Sequence, residues 1–408
     1  MSNRPEQSWS VSADWIVPVS APPIRLGCMR GTGGRIDAVG PASEVKRAGN
    51  HIDLPGHAIL PGFVNAHCHL ELSGLRGKLP QNAPMPRWLL ALIRNRPNAS
   101  QQRQAVADGV TELLSTGTTT VGDISYNNAA AGVLAALPIR AMAFAEVTGI
   151  GPLAVGAMAR LLERLKDPPQ GPLLRTGISP HAPYSTAPSV YRRAVRLARR
   201  RGWPITTHLA ETPGERDFLL HGGGGLLEVL AALGLTGSSL PAPGCGSIEL
   251  ARRLGLLEAD CILAHVNYIA DAELAMLAAG RASVAYCPRS SEFFGRSGHR
   301  YAEMLSAGVN VAIGTDSLAS NWSLDMLAEM RAIRRQGGLD DASILRMATI
   351  NGAAALGLAG QVGSLEAPKR ADWTAVRIGP TQDPLWAMLE DGLVTMTAVE
   401  GGVVGRNL

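Results

Sequence analysis

Between residues 58 and 357, short apolar runs alternate with longer stretches in which apolar residues recur every three or four positions. The runs predict strands at Ile59–His69, Thr118–Ile124, Ile139–Val147, Leu174–Pro180, Ile205–Leu209, Cys261–His265, Ala282–Cys287 and Val309–Thr315. The stretches between them predict amphipathic helices, among them Trp88–Arg94, Gln104–Ser115, Val155–Leu165, Ser189–Arg201, Gly225–Leu233 and Ala272–Ala279. Strand–helix units in this number, over roughly 300 residues, match the size of a TIM-type (β/α)8 barrel in the α/β class. An open doubly wound sheet is the competing arrangement. The Gly-rich run Gly222–Gly225 argues against it, because it follows no strand, and it also lacks the Gly-Lys-Ser/Thr of a phosphate loop.

Outside this region the pattern changes to short extended runs separated by Gly and Pro: Trp9–Val19, Leu26–Met29, Arg35–Val39 and His51–Leu54, then Trp373–Arg377 and Val394–Glu400 near the other end. The expected organisation is a barrel over residues 58–362 and a small β-sandwich domain assembled from residues 1–57 and 363–408.

Composition narrows the class. The chain has 408 residues, 46% hydrophobic and 18% charged, with no segment near the ~20 unbroken apolar residues that span a bilayer. Met1–Gln7 lacks the apolar centre of a secretory leader, and five scattered cysteines do not form a disulfide framework, so a soluble cytoplasmic protein is expected. A net charge of +4 is too weak to suggest nucleic acid. The densest basic run, Arg192, Arg193, Arg196 and Arg199–Arg201, shares a helical pattern with apolar residues and reads as a solvated helix face. The expected partner is a small-molecule substrate, with no nucleic acid or membrane; a homodimer is left open.

The chemistry begins at residues 61–71, Pro-Gly-Phe-Val-Asn-Ala-His-Cys-His-Leu-Glu. Side chains alternate along a strand, so His67 and His69 point the same way at a strand end. Functional residues in such barrels sit where strands end. Those positions also carry His181, His208, Glu211, His265 and Asp316, and five of the chain's nine histidines fall there. Three imidazoles and a carboxylate converging on a point suit Zn²⁺ or Fe²⁺, and an open coordination position lowers the pKa of a water toward ~7. A carboxylate that is not a ligand is then needed to move protons. Glu211, three residues past His208, should curl over the metal from its loop. Strand four, Leu173–Ser179, has no lysine to bridge two metals, which favours one divalent ion.

These residues, in this order, resemble the amidohydrolase superfamily in its cytosine-deaminase and chlorohydrolase branch. The resemblance covers nearly the whole chain. It implies His67, His69, His208 and Asp316 as metal ligands, Glu211 as acid/base, and His265 hydrogen-bonding the water or substrate, so that Glu211, His265 and Asp316 form the catalytic set. Finer strings resemble the aminodeoxyfutalosine deaminases of menaquinone biosynthesis: His-Leu-Glu-Leu-Ser at 69–73, Ser-Pro-His-Ala-Pro-Tyr-Ser at 179–185, Cys-Pro-Arg-Ser at 287–290 and Gly-Thr-Asp-Ser-Leu-Ala-Ser-Asn at 314–321. That resemblance implies hydrolysis of a 6-amino purine-type base to its 6-oxo form with release of ammonia, and a His181 that hydrogen-bonds purine or ribose. The same barrel hosts deaminases of adenosyl and thioadenosine compounds, guanine, cytosine and triazines, and hydrolases of cyclic amides or C–Cl bonds. A non-catalytic metal-binding scaffold is the alternative from another class; the intact ligand set and Glu211 speak against it.

Further residues have two readings. Glu71 contacts substrate or pairs with Arg76. Trp88 opens a helix that lids the pocket or simply packs. Arg289 and Ser290 follow strand seven and are expected to contact substrate. Cys68 should point to the opposite strand face as a small buried hydrophobe. His51, His57, His221 and His299 are expected on the surface, outside the constellation.

Overall fold

The structure, a computed structural model, describes residues 7–235 and 242–407; Met1–Glu6, most of the segment read for a leader, lies outside them. Strands are numbered in chain order. The first four are β1 (Ser8–Ile16), β2 (Ile24–Thr32), β3 (Arg35–Pro41) and β4 (Asn50–Pro61). Next come β5 (Phe63–Cys68), β6 (Thr118–Ser125), β7 (Arg140–Val147), β8 (Leu174–Pro180), β9 (Ile205–Leu209), β10 (Cys261–His265), β11 (Ser283–Tyr286) and β12 (Val311–Ile313). The last three are β13 (Trp373–Arg377), β14 (Leu393–Val399) and β15 (Gly402–Arg406).

Strands β5 to β12 lie side by side in chain order and pair in parallel. Every residue of β5, β6, β7, β9, β10, β11 and β12 is buried, the consequence of a parallel sheet covered on both faces. This is why their sequences read as unbroken apolar runs. The barrel closes where β5 meets the segment after β12. Asp316 N donates to His67 O at 3.0 Å, Asn65 Nδ2 donates to Thr315 Oγ1 at 2.7 Å, and Thr315 N donates to Asn65 Oδ1 at 3.2 Å. A Cβ at Gly314 would lie 2.7 to 3.0 Å from atoms of His67, so only glycine permits this approach. The arginine-rich stretch is helix Pro188–Arg201, which turns Val190, Tyr191, Ala194, Val195, Leu197 and Ala198 into the core and ends at Gly202 with φ +63°. No helix among the described residues is long and apolar enough to cross a membrane.

The terminal strands form one seven-stranded sheet in the order β15-β14-β13-β4-β1-β2-β3. The expected sandwich is therefore a single sheet that curls on itself. Ile36 N, on β3, donates to Lys369 O, and Ala371 N donates to Gly34 O, bringing the β3 edge against the segment that leads into β13. The curled sheet encloses its own cluster, Val11, Ile16, Met29, Ile36, Ile59 and Trp373 among it. The expected first barrel strand Ile59–His69 divides at Gly62: β4 carries the terminal sheet through Pro61, and the barrel begins at Phe63 rather than at residue 58. Both halves of that run are apolar, so hydrophobicity alone does not mark the change of sheet.

A buried ion pair joins the two sheets. Arg140, opening β7, donates from Nε to Asp372 Oδ2 at 3.0 Å just before β13, and Glu400 N donates to Asp372 Oδ1 at 2.8 Å. The two side chains are 6% and 1% exposed, so Arg140→Leu leaves a carboxylate buried without its partner. The expected cost is about 3–5 kcal/mol, read by urea unfolding, and Arg140→Leu/Asp372→Leu should recover much of it. A single variant as stable as the parent would show that the pair is dispensable.

Candidate active site

Strand ends deliver the site one side chain at a time. His67 lies within β5 and His69 just past it, His208 within β9, His265 closes β10, and Asp316 follows β12. Nitrogens of His67, His69 and His208 lie within 4.8 Å of one another, and so do the donor atoms of His67, His265 and Asp316. His69 Nε2 and His208 Nε2 are 3.1 Å apart, and His67 Nε2 and His69 Nε2 each stand 3.8 Å from Asp316 Oδ1.

Burial sets the protons here. It holds the imidazoles of His67 and His69 well below their ordinary value, the neighbouring rings adding to the effect, and brings His265 down to about 3. These rings are neutral at physiological pH and keep a lone pair for a ligand. Asp316 is held below its usual range against the effect of burial, and with the rings neutral it is the Ser290 hydroxyl that supports the ionised carboxyl. His208 Nδ1 donates to the carbonyl of His181 at 3.0 Å, which leaves Nε2 with the lone pair facing the cluster. Asp316 Oδ2 accepts from Ser290 Oγ at 2.7 Å and Ser320 Oγ at 2.8 Å, so Oδ1 alone faces the histidines.

The residues fit a metal ion on two counts. Both ring nitrogens of His67 are buried without a hydrogen-bond partner among the described residues, an arrangement that is costly unless something else binds there. Donor separations of 3.1 Å and 3.8 Å are short enough for ligand bonds of ~2.0–2.2 Å to meet on one shared ion.

Glu211 sits in the loop after β9, where its backbone is pinned. Glu215 accepts from Ala210 N at 2.8 Å, Glu211 N at 3.1 Å and Ser247 Oγ at 2.7 Å, and holds Ala210 at φ +50°. The buried Glu211 carboxyl is raised above its usual range by desolvation, with Arg296 Nη1 at 3.3 Å from Oε1 opposing the rise.

Of the remaining expected residues, His181, Glu71 and Trp88 line the pocket. Glu71 accepts from Ser125 Oγ and Tyr126 N, each at 3.0 Å, while Arg76 pairs with Glu112 instead. Trp88 donates to Ala319 O at 3.3 Å and packs edge-on against Phe294. Arg289 and Ser290 do not reach the pocket. The Arg289 guanidinium turns away to Ser323 and stands over Trp322, and the Ser290 hydroxyl is used on Asp316. His299 is also placed differently from its expected surface position: half-buried, it stacks on Tyr286 at 3.8 Å and donates from Nε2 to the carbonyl of His265 at 2.8 Å. Sequence reading did not find Arg296, Arg96, Ser320, Glu215 or Glu146. Glu146 had a signal, a lone carboxylate near the C-terminal end of a strand whose residues from Ala141 onward are otherwise apolar.

The pocket wall is apolar on one side, with Leu72, Met85, Leu89 and Phe294. Beyond Leu89, Leu92 and Tyr184 it continues into a cleft lined by Ile150, Leu153, Leu226, Val229, Leu230 and Leu233.

Residues 58–404 match the Amidohydrolase family. The chain is 32% identical over 375 residues to a 5-methylthioadenosine/S-adenosylhomocysteine deaminase of Moorella thermoacetica, covering 88% of this chain and 82% of that one. An adenosine deaminase from Xanthomonas campestris with bound zinc superposes with a TM-score of 0.81 at 27% identity, covering 98% and 93% of the two chains. Aminofutalosine deaminase of Helicobacter pylori shares the fold, with a TM-score of 0.84 at 20% identity over 97% of this chain and 100% of that one. The chain belongs to the amidohydrolase family and is a hydrolase acting on carbon–nitrogen bonds.

Proposed function

We propose that this chain hydrolyses the 6-amino group of a 6-aminopurine nucleoside whose sugar carries a substituent at C5′, giving the 6-oxo purine and ammonia. One observation carries the reading: a cluster of buried imidazoles and a carboxylate, in a chamber that Glu211 also lines, opens past an apolar wall into a second, apolar cleft. The chamber suits a purine face and the cleft suits a 5′ substituent. The relatives named for methylthioadenosine and S-adenosylhomocysteine support a 5′-thio nucleoside. The strings at 69–73, 179–185, 287–290 and 314–321 support 6-amino-6-deoxyfutalosine. Both are adenine nucleosides extended at C5′.

In this reading His67, His69, His208 and Asp316 hold one divalent ion, Zn or Fe. When bound, the ion supplies the Lewis acidity that brings the pKa of a water toward ~7. Glu211 takes one proton from the attacking water and delivers it to the ring nitrogen beside C6. The water oxygen bonds to C6, the second water proton passes through Glu211 to the amino group, and the C6–N bond breaks to release ammonia. A carboxyl lifted above its usual range by burial is suited to both halves of this transfer. Arg296 fixes its orientation, and neutral His265 offers a ring nitrogen to the oxygen as it adds.

Elemental analysis should find about one divalent ion per chain, and a chelator should abolish turnover until Zn²⁺ or Fe²⁺ is restored; two ions per chain would refute the single-metal site. Glu211→Gln should keep the ion and lose roughly 10²- to 10⁴-fold in kcat. A variant with its metal and near-normal kcat would assign proton transfer elsewhere. Ammonia release from aminodeoxyfutalosine, methylthioadenosine, S-adenosylhomocysteine, adenosine, adenine, guanine and cytosine tests the substrate. A 5′-methylthio group should raise kcat/KM over adenosine by about tenfold through apolar burial. Fast turnover of cytosine or guanine, with none of the adenine nucleosides, would overturn the reading.

A further inference from the structure

We propose that Glu146, acting with His181, binds the vicinal hydroxyls of the substrate sugar and so selects ribosides, a specificity site at the junction of the chamber and the apolar cleft. The inference rests on the nucleoside reading above and deepens it.

Position comes first. Glu146 is the penultimate residue of β7, with its side chain only 6% exposed, and it lines both the chamber and the cleft, as do His181 and Arg96. With the base against the metal-binding cluster and the 5′ substituent in the cleft, the part of the molecule that spans the junction is the sugar.

Unmet hydrogen-bonding capacity comes second. The backbone of Glu146 is held by its place in β7 and by Arg164 Nη2, which donates to its carbonyl at 2.5 Å. Its carboxyl oxygens accept no hydrogen bond from any described residue. The nearby Glu71 differs, because both its oxygens are used, by Ser125 Oγ and Tyr126 N. Those oxygens open on the pocket, so their capacity is available to whatever enters, and two hydroxyls on adjacent carbons are the donor pair a carboxylate accepts side by side.

The third observation is the gap to His181. Its Nε2 stands 3.9 Å from Glu146 Oε1, too far for a direct bond. A hydroxyl that accepts from Nε2–H and donates to Oε1, each at about 2.8 Å, bridges such a gap. Ser185 Oγ, 2.6 Å from His181 Nδ1, fixes the ring and, donating to Nδ1, leaves Nε2–H toward the junction. Burial lifts the Glu146 carboxyl to about 7, and Arg96, stacked over Tyr126 at 3.8 Å on the same pocket wall, opposes that rise.

The test is steady-state kinetics of the parent, Glu146→Gln and Glu146→Ala, each assayed for bound metal, on methylthioadenosine, its 2′-deoxy and 3′-deoxy analogues, and free adenine. Glu146→Ala is expected to lower kcat/KM for the riboside by about 10- to 100-fold, with metal content unchanged, and to alter adenine turnover less than about threefold. Removing a hydroxyl from the substrate should cost the parent a similar factor and cost Glu146→Ala almost nothing further. Glu146→Gln, which keeps the shape and one acceptor, should fall between. Equal losses on riboside, deoxy analogues and adenine would show that Glu146 does not read the sugar and would overturn the proposal while leaving deamination intact. A parent that releases no ammonia from any adenine nucleoside would overturn the nucleoside reading and this proposal with it.

Discussion

Gathering several imidazoles and a carboxylate at the mouth of one barrel, away from water, is the constraint around which the rest of the structure is arranged. A charge on any of these rings would carry a desolvation penalty of several kcal/mol, so His67, His69, His181 and His265 are held neutral. A neutral ring has one donor and one acceptor, and its outer nitrogen or its backbone must be fixed if the inner one is to aim. His181 O does this for His208, Ser185 for His181, and His299 for the carbonyl of His265. Backbone strain gathers in the same place. Of nine non-glycine residues with left-handed φ among the described residues, Ala210, His265, Val266 and Asp316 stand at or just past the ends of β9, β10 and β12. Each costs of order 1–3 kcal/mol and is tolerated because Glu215, Asn65 and the serines around Asp316 over-determine the local geometry.

Much of this was legible in the chain, for identifiable reasons. Strands buried on both faces read as apolar runs, and a histidine at the end of such a run is conspicuous, so the barrel strands and the residues brought together at the cluster could be placed without coordinates. The failures have equally local causes. Arg289 and Ser290 follow a strand end as substrate-binding residues would, but which way a side chain turns after the last ladder bond depends on partners far along the chain, Ser323 and Asp316. His299 lies in a loop with no periodicity, and its contact with β10 crosses 34 residues. The run Ile59–His69 hides a change of sheet at Gly62, where a Cβ would lie 2.1 Å from Thr119 Oγ1. Tight packing there, rather than any break in hydrophobicity, marks the boundary.

The buried carboxylates show which kind of observation carries function. Burial lifts Glu146 to about 7, Glu215 to about 7 and Glu329 to about 8. Proton affinity therefore does not separate them. Hydrogen bonding does. Glu215 is saturated by two amides and Ser247, and Glu329 accepts from Arg289 N and Asn321 Nδ2, so both are fasteners of the loops that carry Glu211 and Asp316. Glu146 accepts from no described residue, and Glu211 only from Arg296. Of these four, the two with spare capacity stand at β7 and just past β9, flanking His181 after β8. The opposite side is closed, since Ser290 and Ser320 occupy the outer oxygen of Asp316. The mouth is thus unequal: the β11–β12 side is committed to holding the cluster, and the β7–β9 side keeps its acceptors free for whatever enters.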